Sequence, residues 1–206
     1  MAIFKDVSTQ RKCRDTLLEW GLLDYLLQDS VAFATDRRTR RMASKIIMLL
    51  AENKGERALR HQDMVAKGVL PVLIRFLDGE DFELRMDAAS TLSHMCMSDE
   101  LKQPICQAHV LPVLLPLIEL QDDQVCTDVT RVLAEVADVQ ANESAIVASG
   151  GLHAAFRFFN ILYVRYKTLP TFFLLFKIFA VLPYCTRVCS MQLLFFYDLA
   201  RRWLDV

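Results

Sequence analysis

The amino-acid sequence predicts an all-α helical solenoid, and two observations carry that prediction. A short phrase recurs at a near-constant interval: Gly68 in KGVLPVLIRFL, His109 in AHVLPVLLPLI and Gly150 in SGGLHAAFRFF are 41 residues apart, and Gly21 in WGLLDYL lies 47 residues before Gly68. A repeat of about 40 to 47 residues is typical of stacked helical units. The segments between these phrases also place apolar residues at helical spacing. Each such unit buries its apolar face only by packing on its neighbours.

The second repeat shows the three predicted helices of one unit. A polar first helix, Glu56 to Lys67, ends at Gly68, and an apolar second helix, Val69 to Leu77, follows with a proline in its first turn. After an acidic turn the third helix runs from Phe82 to Met97. Its apolar stripe consists of Leu84, Ala88, Leu92 and Met95. Spacings of 4, 4 and 3 residues place these side chains on one face of a helix.

The other repeats keep this order. Repeat one is predicted to contain Thr9 to Trp20, Gly21 to Gln28 and Arg37 to Glu52; repeat three Glu100 to Ala108, Val110 to Leu120 and Val125 to Val139; and repeat four Asn142 to Ser149 and a helix from Gly151, with no clear third helix. The predicted repeat bounds are about 9–53, 54–98, 99–140 and 141–165.

These phrases, together with the segments MASKIIMLLAEN, DAASTLSHMC and DVTRVLAEVA, resemble the armadillo (ARM) repeat family over residues 9 to 160. Single units are also similar to HEAT repeats. The resemblance implies an armadillo/HEAT-like right-handed superhelix whose third helices line a concave groove that grips extended peptides or other proteins. Residues 1–160 are therefore predicted to be an armadillo-like domain of about four repeats.

The expected protein-binding groove is one stripe on the three third helices. It is predicted to face solvent and to comprise Arg37, Arg41, Ser44, Met48, Glu83, Asp87, Ser90, His94, Gln124, Asp128, Arg131 and Glu135. Its charge runs from basic in repeat one to acidic in repeat three, which would suit a partner segment of opposite polarity.

The chain departs from one branch of the family. The importin-α branch carries a Trp and, four residues later, an Asn in its third helices. The matching pairs here are Ser44/Met48, Ser90/His94 and Arg131/Glu135. Binding of nuclear localisation signals is therefore not expected.

Charge and cysteine usage exclude several functions. Residues 1–150 carry a balance of −6 and residues 151–206 a balance of +5, without the strongly basic face that nucleic-acid binding needs. Six cysteines form no CxxC pair, and no apolar signal segment begins the chain. We expect reduced thiols and a cytoplasmic or nuclear protein that is not secreted. No catalytic, metal-binding or cofactor-binding motif is recognised, so a non-enzymatic protein without a cofactor is predicted.

The last part of the chain differs in composition. Fourteen of the 20 aromatic residues lie in residues 151–206. The apolar run between Pro170 and Pro183 would span about 18 Å as a helix, too short for a bilayer core of about 30 Å. Residues 161–206 are therefore predicted to be an aromatic, basic helical segment that caps the solenoid, contacts a partner or a membrane surface without spanning it, or ends a truncated isoform.

The predicted function is a protein–protein interaction scaffold or adaptor, alone or as a subunit of a larger complex. Two alternatives stay open: a regulator of a nucleotide-binding protein, of the Hsp70 nucleotide-exchange or small-GTPase dissociation-stimulator type, and a membrane-peripheral scaffold held by the C-terminus. The basic cluster of Arg37, Arg38, Arg40, Arg41 and Lys45 is either a solvated helix face or a docking site for an acidic peptide or a phosphate.

Overall fold

A computed structural model describes residues 16–52, 57–120, 122–151, 153–155 and 157. Within these ranges the chain forms helices and no strand, as predicted. The α-helices are α1 Leu22–Leu26, α2 Asp29–Ala32, α3 Arg37–Ala51, α4 Arg57–Ala66, α5 Val69–Asp78, α6 Phe82–Met95, α7 Asp99–Gln107, α8 Leu111–Leu114, α9 Asp123–Ala137 and α10 Glu143–Ala148. Two 3-10 segments are Leu115–Leu120 and Gln140–Asn142, and residues 16–19, 151, 153–155 and 157 are also helical.

The recurring phrase marks the same backbone turn in every repeat. Gly21, Gly68, His109 and Gly150 have positive φ values of 75°, 85°, 56° and 79°. A left-handed residue reverses the chain between the first and second helix, and glycine adopts it without steric cost. Repeat three makes the turn with a histidine, which lies in a region unfavourable for a side chain. The recurring phrase therefore marks the same left-handed turn in each repeat.

Aspartate begins each third helix. Asp36, Asp81 and Asp122 are the N-caps of α3, α6 and α9, and each carboxylate accepts a backbone N–H of the first turn. A carboxylate there satisfies orphan N–H groups and suits the helix dipole. The third helices are thus started by the same chemistry in all three repeats, which holds them in register.

The middle third helix is enclosed. Helix α6 packs against α3 on one side, α9 on the other and α5 behind. Ala88, Ala89, Leu92 and Met95 are fully buried. One continuous apolar cluster runs from Leu17 to Ala155 and connects the repeats. The fold is a stack in which each unit supplies the wall of the next.

The second helix of repeat three differs from its prediction. A single helix over 110–120 is wrong: Leu111–Leu114 is α-helical and Leu115–Leu120 is a 3-10 segment. Pro116 follows Pro112 by four residues, so it lacks the N–H that an α-helix would direct at the carbonyl of Pro112. The shorter 3-10 pattern lets the chain continue without that bond.

Three cysteines lie where the composition suggested. Cys96, Cys106 and Cys126 are buried thiols. Burial raises the pKa of the Cys96 thiol far above its ordinary value. These side chains act as small core residues. Cys13, Cys185, Cys189 and the whole predicted segment 161–206, with the domain boundary before it, lie outside the described residues.

Candidate functional site

The predicted groove lies on α3, α6 and α9, whose shared surface we call the third-helix face. Two seams cross it: the first seam is the contact between α3 and α6, and the second seam is the contact between α6 and α9. The twelve predicted residues are distributed over these three helices and both seams. Their neighbours decide which of them are available to a partner.

The first seam is closed at its start by Asp81. Arg37 donates from Nε to Oδ2 of Asp81 at 2.8 Å, and Arg41 donates from Nη2 to Oδ1 at 2.8 Å and from Nε to Oδ2 at 3.1 Å. The hydrogen bonds from Arg41, followed by those from Arg37, hold the pKa of Asp81 well below its ordinary value. One carboxylate therefore caps α6 and binds two guanidinium groups of α3. This arrangement ties repeat one to repeat two.

Six residues after Asp81, on α6, the first seam contains the buried carboxylate of Asp87. Ser44 donates from Oγ to Oδ2 of Asp87 at 2.6 Å, and Nζ of Lys45 lies 3.4 Å from the other oxygen. Ser44 is 2% exposed and Asp87 is 7% exposed. Burial raises the pKa of Asp87, and the contacts with Ser44 and Lys45 oppose that rise. This pair is part of the packing between repeats.

The second seam is less completely paired. Arg131 donates from Nη1 to Oγ of Ser93 at 2.9 Å and lies 3.7 Å from Oδ1 of Asp128. Gln124 donates from Nε2 to Oδ2 of Asp128 at 2.9 Å. Within the described chain, Oδ1 of Asp128 and Nδ1 of His94 are buried without a hydrogen bond. Buried polar atoms are almost always hydrogen-bonded, so the second seam retains unused bonding capacity.

Burial and a nearby carboxylate have opposite effects on the pKa of His94. Burial lowers the pKa of His94, and the nearby charge of Asp128 opposes that effect. The net direction is downward, which favours the neutral imidazole at neutral pH. His94 is therefore a neutral, half-buried polar group on the third-helix face.

Glu135 belongs to a cluster behind the second seam. Its carboxylate lies 3.0 Å from Nζ of Lys102, an amine that also contacts Asp99 at 2.7 Å and Asp138 at 3.2 Å. Burial lowers the pKa of Lys102, but the hydrogen bonds to the three carboxylates outweigh burial and raise it overall. Asn142 adds a bond from Nδ2 to the carbonyl of Lys102 at 3.3 Å. This cluster joins α7, α9 and the segment after α9.

The predicted stripe therefore separates into three groups by exposure. Arg37, Glu83 and Gln124 are exposed; Arg41, Met48, Ser90, His94, Arg131 and Glu135 are half-buried; Ser44, Asp87 and Asp128 are buried. The expectation that all twelve face solvent is wrong for the last three. Neighbouring third helices approach closely enough to enclose these short side chains between them. Whether the stripe binds a partner stays a prediction.

Residues outside the stripe also shape this face. Asp81, Ser93 and Lys102 make contacts that the spacing argument did not identify. A usable signal was present for Asp81, because it follows Arg37 and Arg41 by 44 and 40 residues, close to one repeat. Residues one period apart lie side by side in a solenoid, so opposite charges at that distance indicate an ion pair.

The basic cluster at the start of α3 is divided among several tasks. Arg37 and Arg41 bind Asp81, Lys45 approaches Asp87, and Arg40 donates from Nη1 to the carbonyl oxygens of Ala34 and Thr35 at 2.7 and 3.2 Å. Arg38 is exposed. Neither of the two original interpretations, a solvated face or a docking site, describes the whole cluster. Most of it holds the first seam and the turn before α3.

The described residues contain neither a metal-binding cluster nor a single helix that could span a membrane. No group of three or more His, Cys, Asp and Glu side chains among them is arranged to hold a metal ion. In the same ranges no single helix has both the length and the apolar character to cross a membrane. One bent pair, Asp99–Gln107 with Leu111–Leu120 at 82°, meets those criteria only when its two parts are taken together.

Comparison with known proteins supports the architecture. Residues 62–97 match the Armadillo/beta-catenin-like repeat model. A comparison with curated proteins gives no match. An engineered protein solved by the Northeast Structural Genomics Consortium is similar with a TM-score of 0.71 and 19% identity, over 87% of this chain and 70% of that one. The chain thus contains an armadillo repeat.

Two designed proteins extend the likeness. A designed armadillo repeat protein in complex with the peptide (KR)4 has a TM-score of 0.70 and 15% identity, over 87% of this chain and 72% of that one. A structure of computationally designed armadillo repeat proteins for modular peptide recognition has a TM-score of 0.73 and 15% identity, over 86% of this chain and 72% of that one. The fold of the described chain is that of an armadillo solenoid.

Proposed function

We propose that this chain, an armadillo solenoid, is a non-enzymatic scaffold that binds a segment of a partner protein along its third-helix face. The observation that carries the proposal is the alignment of polar side chains on three consecutive third helices. Each helix is started by an aspartate cap, and each presents exposed or half-buried polar groups one repeat from the next. An extended peptide can meet equivalent positions in successive repeats. The fold is shared with designed proteins described as peptide-binding.

The second seam supports the proposal most strongly. Oδ1 of Asp128 and Nδ1 of His94 have no hydrogen bond within the described chain, whereas Arg131 beside them is half-exposed. A bound backbone supplies both N–H and carbonyl groups at regular spacing. Those two atoms are enclosed between the helices, so it is the half-exposed guanidinium of Arg131 that can bind the carbonyl groups of a peptide here.

The first seam contributes in another way. Arg37, Arg41, Ser44 and Asp87 are occupied with one another or with Asp81 and hold the two helices together. Their replacement would disturb the fold as well as the face. A functional test needs members of the face that carry little of the packing.

Glu83, Ser90 and Gln124 meet that need. Glu83 and Gln124 are exposed, Ser90 is half-buried, and together they sample α6 and α9. We expect the combined Glu83→Arg, Ser90→Arg and Gln124→Arg variant to keep its thermal midpoint but to lose partner proteins in quantitative affinity purification with mass spectrometry. Longer, charged side chains would block the face and reverse its local charge.

A matched control changes charge elsewhere by the same amount. Gln62, Glu100 and Gln107 are exposed on first helices α4 and α7. Their combined replacement by Arg should leave the partner set unchanged. Loss of the same partners from the control, or their retention by the face variant, would contradict the proposal.

The localisation stays a prediction of cytoplasm or nucleus. The nucleotide-exchange and membrane-peripheral alternatives also stay predictions, and no contact among the described residues favours either of them.

A further inference from the structure

A cleft of about 590 Å³ lies at the edge of the first seam and has a predominantly basic wall. It is enclosed by the residues before and at the start of α3, the end of α5 and the turn that leads into α6. Its charged lining consists of Arg37, Arg40, Arg75, Glu80 and Asp81. Three guanidinium groups and two carboxylates give this wall a balance of +1.

The three guanidinium groups each make hydrogen bonds, but none of them uses all of its N–H donors. Arg37 uses Nε for Asp81, Arg40 uses Nη1 for the carbonyls of Ala34 and Thr35, and Arg75 uses Nη1 for Asp29 at 3.1 Å. A guanidinium has five N–H donors. Each of the three therefore keeps donors that have no partner among the described residues.

Arg75 is oriented by an aromatic ring. Its Cζ lies 3.4 Å from the centre of the Phe33 ring, and that ring contacts Phe76 with centres 5.5 Å apart. Stacking on a ring holds the planar guanidinium while leaving its edge available. The ion pair with Asp29 adds little fixation, because both side chains are largely exposed. Arg75 is thus an exposed cleft residue whose guanidinium is oriented mainly by the Phe33 ring.

The two acids do not cancel this basic wall. Asp81 is already shared by Arg37 and Arg41, so its charge is more than compensated. Glu80 is exposed. An incoming anion would meet guanidinium donors from α3 and α5 across the cleft.

We propose that this cleft binds the phosphate group of a phosphorylated side chain in a partner protein. A phosphate dianion offers three acceptor oxygens to three separate guanidinium groups, whereas a carboxylate offers two. Phe76 and Leu84, both buried in the lining, provide an apolar floor for the carbon part of the side chain. The source of the phosphate rests on the proposed function, because Arg37 borders both the cleft and the third-helix face.

The test is an NMR titration of the 15N-labelled full chain. The probes are a degenerate peptide pool with a central phosphoserine, the same pool with serine, inorganic phosphate, and phosphatidylcholine vesicles that carry phosphatidylinositol phosphate. We expect the phosphorylated pool to shift amide signals of residues 33–40 and 75–84, and inorganic phosphate to shift them at higher concentration. Equal shifts with the serine pool, or binding only to the vesicles, would overturn the proposal.

Two substitutions make the result specific. Arg75→Gln removes a guanidinium group from the cleft and should weaken binding of the phosphorylated pool about tenfold. Arg75→Lys keeps the positive charge but loses the paired N–H donors of the guanidinium, and should recover only part of that affinity. Arg38→Gln changes the same charge on α3 outside the cleft lining and should stay within about twofold of the wild type. An Arg75→Gln chain that titrates like the wild type would refute the site.

The face variant separates this proposal from the proposed function. Its Ser90→Arg and Gln124→Arg changes, made without Glu83→Arg beside the cleft, should keep the response of the cleft to inorganic phosphate even if protein partners are lost. Loss of that response with the cleft residues intact would show that the anion binds elsewhere, and would overturn the cleft assignment.

Discussion

The two seams of the third-helix face are built from similar residues but are paired to different extents. In the first seam Asp81 accepts hydrogen bonds from Arg37 and Arg41, and Asp87 accepts one from Ser44 and forms an ion pair with Lys45. In the second seam Asp128 and His94 each keep a buried atom without a hydrogen bond within the described chain. A buried polar group that is hydrogen-bonded contributes to stability, whereas one without a hydrogen bond costs free energy. The comparison thus indicates that the first seam contributes more to stability than the second seam.

The largest expected effect comes from the buried core of α6, the helix that both seams share. Leu92 in α6 is fully buried, and Leu92→Ala should lower the free energy of unfolding by about 3 kcal/mol through lost transfer energy and a residual cavity. Chemical denaturation followed by circular dichroism measures the change. Leu59→Ala, at a position that is 68% exposed, serves as the control and should cost well under about 1 kcal/mol. Equal losses at the two positions would mean that α6 is not the enclosed centre of the stack.

A smaller effect tests the electrostatic closure of the first seam. Asp81→Asn keeps an N-cap oxygen but removes the charge, and should lower the free energy of unfolding by about 1–2 kcal/mol at pH 7. The pKa of Asp81 is lowered in the folded chain, so its stabilisation is present above the ordinary carboxyl pKa and is lost as pH falls below it. The difference from the wild type should therefore shrink below about pH 4.

Asp122→Asn is the matched control for this measurement. Asp122 caps α9 in the same way, and its carboxylate accepts hydrogen bonds from the backbone N–H groups of Gln124 and Val125. It should cost less than about 0.5 kcal/mol, because Asn is nearly as good an N-cap as Asp. If the two variants lose the same stability at every pH, the ion pairs of Asp81 contribute nothing beyond the cap.

A third pair of substitutions tests the turns that set the repeats in register. His109 has a φ of 56°, and His109→Gly should raise the free energy of unfolding by about 1 kcal/mol by relieving left-handed strain. Gly68→Ala, at a φ of 85°, should lower it by about the same amount. Urea titrations compare the two. Changes of the same sign would show that the corners are not equivalent.

The smallest expected effect concerns the second seam. The pKa of His94 is lowered by burial, so the folded chain loses stability as pH falls from the ordinary histidine pKa of about 6.5 through the lower folded value. His94→Gln should flatten that part of the stability profile. Thermal midpoints between pH 7.5 and pH 5 provide the measurement. An unchanged profile would mean that His94 does not titrate with folding.

The sequence was sufficient for the register of the repeats because one corner recurs in each of them. Gly21, Gly68 and Gly150 stand where a left-handed turn is needed, and His109 was placed with them by the surrounding VLPVL phrase. The third helices were likewise placed by their apolar stripes and acidic starts. Local chemistry repeated along the chain is enough to predict these features.

The exposure of the face was harder to predict. Asp87 and Asp128 are polar residues on the expected outer stripe, yet they are buried between the third helices of neighbouring repeats. Periodicity gives the direction of a side chain around its own helix but not the distance to the next helix. The 3-10 segment after Leu114 was missed because the apolar pattern gives no sign that Pro116 lacks the N–H needed to continue the helix.

The claim that the third-helix face contacts a partner can be tested by site-specific photo-crosslinking in cells. A benzophenone amino acid would replace half-buried Ser90 on α6 in one chain and exposed Gln103 on α7 in another. We expect a crosslinked partner protein from position 90 and none of that partner from position 103. A partner crosslinked only from position 103 would place the contact on the first helices and contradict this claim.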